Sequence, residues 1–159
     1  MEPTISDGDW VLSISRPFYG PLSDGDLVVF KGVGPKSGST QFVKRIAHMP
    51  GDTLEDYTLH NHESLTELKV FPVVPLLGDS IKVGSAEWFI LLPALENSGE
   101  VEYTYDGGKH IVNGEHTNLY IFKQNYFFLL GDNEDQSTDS RTYGPVSIQS
   151  IESKVVWPG

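Results

Sequence analysis

The chain contains no cysteine. Disulfides, thiolate metal sites and cysteine nucleophiles are therefore excluded outright. Basic residues are scarce as well: 11 Lys and Arg stand against 22 Asp and Glu, a formal charge of −11. They are scattered thinly, so no basic patch is available to neutralise phosphates, which argues against a nucleic-acid ligand. Long apolar runs are missing too. The longest, Trp88 to Leu92, is far short of the roughly 18 residues of a membrane span. No secretory leader is expected within these residues, and any membrane anchor is expected outside this segment.

What is present suits a globular β protein. At 159 residues, 38% of them hydrophobic and 21% charged, the chain forms one domain, or one domain with a sizeable insertion. Short apolar runs punctuated by Gly, Pro, Asp and Asn dominate, the pattern of a mainly β fold. Strands are expected at Trp10–Ile14, Leu27–Phe30, Gln41–Ile46, Ile81–Val83, Val101–Tyr105, Tyr126–Leu130 and Ser153–Trp157. Asp24-Gly25 and Asp106-Gly107-Gly108 are turn signals, the second marking a hairpin. One segment reads as a helix, capped by Ser85 and running from Ala86 toward Asn97. Pro93 lies inside it, so that helix is expected to be kinked or short. Gly32 to Ser39 reads as a surface loop; it lacks the Gly-Lys-Ser/Thr ending and the following helix of a phosphate loop.

Among residues that could carry chemistry, Lys44 stands in the run Phe42-Val43-Lys44-Arg45-Ile46. Strand alternation puts Lys44 and Phe42 on one face and Val43 and Arg45 on the other. A lysine on a semi-apolar face loses hydration, which lowers its pKa and frees the amine to accept a proton near neutral pH. Taken alone, a snorkelling surface lysine is the ordinary reading. The segment Gly131 to Arg141 alternates Asp132, Glu134, Gln136 and Thr138, somewhat like a calcium loop, but the sixth-position glycine and the twelfth-position glutamate are missing. The five histidines, His48, His60, His62, His110 and His116, follow no zinc spacing. No metal is expected.

Four segments in order change the weight given to Lys44. Met1-Glu2-Pro3-Thr4-Ile5, Gly25 to Phe30, Phe42 to Ile46 with Pro50-Gly51-Asp52, and Gly131-Asp132-Asn133 with Ser137-Thr138-Asp139-Ser140-Arg141 together resemble the core of bacterial type I signal peptidases. The resemblance implies a β-barrel or coiled-sheet core from residues 1–54 and 125–159, with a noncatalytic β-rich insertion at 55–124. It implies a serine endopeptidase using a serine–lysine dyad and no cofactor. Lys44 corresponds to the general base and Ser137 to the serine that orients it. Asp139 and Arg141 match a supporting ion pair, while Met1, Ile5, Phe42 and Val43 fall where small side-chain pockets are lined. The family's nucleophilic serine immediately precedes the position of Met1, so residues 1–159 lack it and are expected to be inactive.

By the same resemblance, the partners are secretory preproteins cut after small-x-small motifs such as Ala-x-Ala. The domain would stand on the extracytoplasmic, periplasmic face of the cytoplasmic membrane, held by a helix upstream of Met1. The sequence departs from the family at His48, Glu134 and Tyr143, where glycine, arginine and tryptophan are usual. A noncatalytic relative that binds extended peptides is the alternative. A self-cleaving repressor domain shares the lysine base but not the Pro50-Gly51-Asp52 and Gly131-Asp132-Asn133 boxes.

Overall fold

Tyr126–Leu130 is apolar at every position and almost entirely buried, so both faces of this strand must be covered. The computed structural model, which describes residues 1–32, 40–54, 58–59, 68–69, 73–133 and 135–158, shows how. The strands are β1 (Val11–Ser15), β2 (Leu27–Lys31), β3 (Gln41–His48), β4 (Thr58–Leu59), β5 (Leu68–Lys69), β6 (Ser80–Lys82), β7 (Tyr103–Asp106), β8 (Lys109–Val112), β9 (Glu115–His116), β10 (Leu119–Ile121), β11 (Tyr126–Leu130), β12 (Val146–Ser147) and β13 (Ile151–Pro158). Among the described residues two α-helices accompany them, α1 (Ala86–Asn97) and the single turn α2 (Ser140–Tyr143), with a 3-10 turn at Ile148–Ser150. The fold is mainly β, as the sequence indicates.

A six-stranded antiparallel sheet runs in the order β1-β13-β2-β3-β11-β12. Phe127 and Leu129 of β11 pack with Val28, Phe30, Ile46, Val146 and Ile151 in one core. Tyr126 and Phe128, from the opposite face, join a second core with Trp88, Leu91, Leu95, Val112 and Phe122. The period-2 alternation of a strand is thus divided between two hydrophobic clusters.

The helix expectation needs correcting in one respect. The Ser85 hydroxyl accepts from the Trp88 N–H, and α1 runs unbroken for 12 residues. It is not shortened at Pro93, which takes an exposed position and removes one N–H donor. Burial of Trp88, Leu91, Ala94 and Leu95 along one side outweighs that loss. The strand expected from Val101 begins at Tyr103 instead, because the Val101 N–H is drawn back to the helix end, onto the Leu95 carbonyl at 3.3 Å. The hairpin at Asp106–Gly108 forms between β7 and β8, and β9 extends it to three strands. The expected loop at Gly32–Ser39 lies outside the described residues from 33 on, as do His60 and His62.

One acidic side chain ties these pieces together. The Glu100 carboxylate accepts from the hydroxyls of Tyr120 and Tyr126, the Gln124 amide and the Lys123 N–H. It links the exit of α1 to β10 and β11. Burial acts to raise its pKa, but the four donors outweigh burial and hold it below the usual glutamate value. A depressed carboxylate contributes stability above its unfolded pKa and loses that contribution as pH falls through the folded value. Glu100→Gln is therefore expected to cost about 1–3 kcal/mol near neutral pH, since it trades charge-assisted bonds for neutral ones. In urea titrations the deficit relative to the parent should shrink as pH falls below the ordinary glutamate value, about 4.3, and through the lowered folded one, where the parent carboxyl also becomes neutral.

Candidate active site

Lys44 lies in the middle of β3, and its surroundings follow from strand register. Val28 pairs with it across β2. Directly opposed residues in an antiparallel ladder share a face, so the lysine stem lies on the side of the sheet that buries Val28 and Ile46, both fully inaccessible. On the other flank, Phe128 pairs with His48 but Leu129 with Ile46 and Leu130 with Arg45, leaving Ala47 as the extra residue of a bulge. Continued by one residue, that register brings Gly131 beside Lys44.

This closeness explains the glycine. A methyl group at Gly131 would lie 2.6 Å from Ser137 Cβ and 3.1 Å from Lys44 Nζ, and would overlap the Ser137 hydroxyl. With only hydrogen there, Lys44 Nζ donates to Ser137 Oγ at 2.8 Å. Burial lowers the lysine pKa from its ordinary value; Asp139 pulls it back upward, Arg141 pushes it down again and Asp132 opposes. The net direction is toward a neutral amine, the form that can accept a proton.

Two ion pairs brace the loop that carries Ser137. Asp139 is completely buried and pairs with Arg141 at 2.8 Å. Its carboxylate also accepts from the Gly131 N–H at 3.0 Å and the Arg141 N–H at 3.1 Å. Burial alone would raise the Asp139 pKa; the bonds from Arg141, Gly131 and Ser137 overcome it and leave the group below its usual value. Next to it, Ser140 Oγ accepts from the Leu129 N–H at 2.9 Å. Strand β12 pairs only with Tyr126 and Phe127, so these two side chains take the N–H groups of β11 beyond its end.

From the opposite face of β3, Arg45 forms a bidentate pair with Asp132 at 2.9 and 2.7 Å. It also donates to the Gly25 carbonyl at 2.9 Å and to Thr4 Oγ1 at 3.4 Å. The side-chain bond from Arg45 is the main reason the Asp132 pKa lies below its usual value. One guanidinium therefore joins the N-terminal segment, the start of β2 and the loop after β11.

The residues singled out by sequence converge. Met1, Ile5, Phe42, Val43, Lys44 and Ser137 all line one cleft of about 560 Å³, together with Gly131, Asn133 and Gln136. Asp139 and Arg141 stand behind Ser137. His48 faces Phe128 edge-on at 5.9 Å, and Tyr143 packs against Phe30 in the first core. Glu134 lies outside the described residues. The roles of Gly131, Arg45, Asp132 and Ser140 escape the sequence reading, although Gly131 and Asp132 belong to a quoted box and strand alternation already separates Arg45 from Lys44.

The arrangement offers a partly dehydrated amine, a hydroxyl that fixes it, and an open cleft with apolar patches. That set can deprotonate a nucleophile beside a bound extended chain. Gly131→Ala is expected to push Ser137 away and break the 2.8 Å contact, with the Lys44 side-chain resonances shifting in NMR while the overall fold signature is kept. Tyr143→Phe makes the contrasting case. Among the described residues the buried Tyr143 hydroxyl finds no hydrogen-bond partner, so its removal is expected to leave thermal stability unchanged or raised.

Comparison with known proteins bears on the same residues. A family described as "Signal peptidase, peptidase S26" matches residues 1–67 and 72–158. Signal peptidase I of Aquifex aeolicus is 25% identical, covering 97% of this chain and 70% of its own length. Signal peptidase I of Pseudomonas fluorescens is 28% identical over 93% of this chain, which spans about half of that relative, 54%. Signal peptidase IB of Staphylococcus aureus is 26% identical, covering 99% of this chain and 73% of the relative.

Proposed function

Because the chain belongs to the signal peptidase family, peptidase S26, we propose that it supplies the base and the substrate cleft of a serine–lysine endopeptidase that removes signal peptides from exported preproteins. The observation that carries this reading is the 2.8 Å approach of Lys44 Nζ to Ser137 Oγ, at an amine whose pKa burial lowers. Lys44 is the general base and Ser137 holds its amine in line. The nucleophile is a serine placed directly before Met1. Its hydroxyl attacks the scissile carbonyl as Lys44 takes the proton, and the amine then protonates the leaving nitrogen. Water, activated by the same lysine, hydrolyses the acyl-enzyme.

The Asp139–Arg141 pair fixes the loop that presents Ser137. Met1, Ile5, Phe42 and Val43 line pockets suited to small side chains, which favours Ala-x-Ala-like sites. Residues 1–54 and 125–159 form the catalytic core and 55–124 an insertion without a chemical role. Among the described residues, no helix is long and apolar enough to cross a membrane. In this reading the tether is a helix upstream of Met1, with the domain on the extracytoplasmic face.

The reading is tested by activity toward a fluorogenic Ala-x-Ala peptide. Residues 1–159 alone are expected to be inert, and the same chain extended by one serine before Met1 to be active. Lys44→Ala in the extended chain should lower kcat about a thousand-fold or more. Turnover retained without Lys44 would remove the lysine from its role. Peptide binding without cleavage by the extended chain would make the protein a noncatalytic relative.

A further inference from the structure

The cleft is not electrically neutral. Besides Lys44, the ionisable side chains of described residues that line it are Glu2 and Asp7. Both are exposed, and each sits on a hydrogen-bonded turn. The N–H groups of Thr4 and Ile5 donate to the Met1 carbonyl at 2.9 and 3.1 Å, which holds Glu2 at the cleft wall. The Ser6 N–H donates to Asp9 Oδ2 at 2.8 Å, and the Asp9 N–H to the Ser6 carbonyl at 3.1 Å, which closes the turn bearing Asp7. The backbone positions that carry the two carboxylates are therefore set by hydrogen-bonded turns, while the side chains themselves are exposed.

Among the described residues, the cations near them are the Met1 α-amino group, which a preceding residue would turn into an uncharged amide, and side chains already engaged elsewhere. Arg45, which reaches the same N-terminal segment at Thr4, is committed to Asp132 and the Gly25 carbonyl. Arg141 is held by Asp139, Lys154 by Asp26 and Lys31 by Glu152. Neither Glu2 nor Asp7 forms an ion pair among the described residues. The lysine that does share the cleft gives its Nζ to Ser137.

We propose that Glu2 and Asp7 are specificity-determining residues, giving the cleft a preference for extended peptides that carry a lysine or arginine close to the small-x-small motif and discriminating against peptides with an acidic residue there. This rests on the peptide-cleft reading above and adds the charge of the substrate to it. The physical basis is plain Coulomb attraction at a partly solvated wall. Two carboxylates on anchored turns, several ångströms from a peptide charge, act in the same direction, in water-like dielectric and within one Debye length. The discrimination between a cation and an anion at one peptide position is then about five-fold at low ionic strength.

The test is equilibrium binding of a set of fluorescein-labelled peptides to the chain Met1–Gly159, read by anisotropy. One carries an Ala-x-Ala motif in neutral surroundings; the others place Lys or Glu at each position next to it in turn. The expected result is that at one or more positions the Lys peptide binds about five-fold more tightly than its Glu counterpart. That ratio should collapse toward one in about 1 M salt, where the Debye length is ~3 Å. It should collapse equally in the double variant Glu2→Gln/Asp7→Asn at low salt. Equal dissociation constants for Lys and Glu peptides, with the neutral peptide bound, would overturn the charge preference and leave the peptide cleft standing. A preference that persists in the double variant would overturn the assignment to these two residues. Failure of every peptide to bind would overturn both readings together.

Discussion

An amine can be held partly out of water against a hydroxyl only if the space between them is kept clear, and here that space belongs to Gly131. Strand register makes the arrangement unavoidable. The bulge at Ala47 sets the pairing of β3 with β11 so that Gly131 follows the partner of Arg45. Any side chain there would displace Ser137 before it displaced the backbone. The rest of the site is organised around keeping that approach fixed. Ser140 and Asp139 hold the N–H groups on either side of Leu130, and Arg45 ties Asp132 to the start of β2.

The charges around Lys44 are arranged in opposing pairs. A carboxylate buried as fully as Asp139 would stabilise the ammonium form and hold the proton on the lysine. Arg141 occupies that carboxylate and itself repels the ammonium. On the other face of β3, Arg45 pairs with Asp132 at greater exposure, and Asp132 acts weakly to raise the lysine pKa. Burying an ion pair costs desolvation that its own attraction barely offsets. A buried Asp139 with several donors is thus better understood as a means of fixing geometry than as a source of stability.

Much of this was legible in the sequence, though by different routes. Alternation alone put Lys44 and Arg45 on opposite faces, and the apolar runs announced the long strands and the capped helix. Lys44, Ser137, Asp139 and Arg141 drew their significance from motif resemblance; Lys44 and Ser137 line one cleft, and the other two stand behind Ser137. The missed features depend on tertiary contacts. Arg45 and Asp132 are 87 positions apart, and nothing local links them. Gly131 looks like a loop glycine until a bulge in another strand is known. Helix α1 passes through Pro93 because its buried side, anchored by Trp88, outweighs a lost hydrogen bond. Strands of two residues, such as β9 and β12, are shorter than any periodic signal.

Strand β11 has a consequence for how the molecule can be modified. Its alternate side chains belong to different cores, so neither core can melt while leaving the strand fully covered. Excising the segment between β3 and β11 and closing the gap with a short linker would strip the cover from Tyr126 and Phe128. The product would expose an aromatic strand face, a surface that promotes association between copies. A minimal version of this domain therefore needs polar replacements on that face of β11, made without touching Phe127, Leu129 or Gly131.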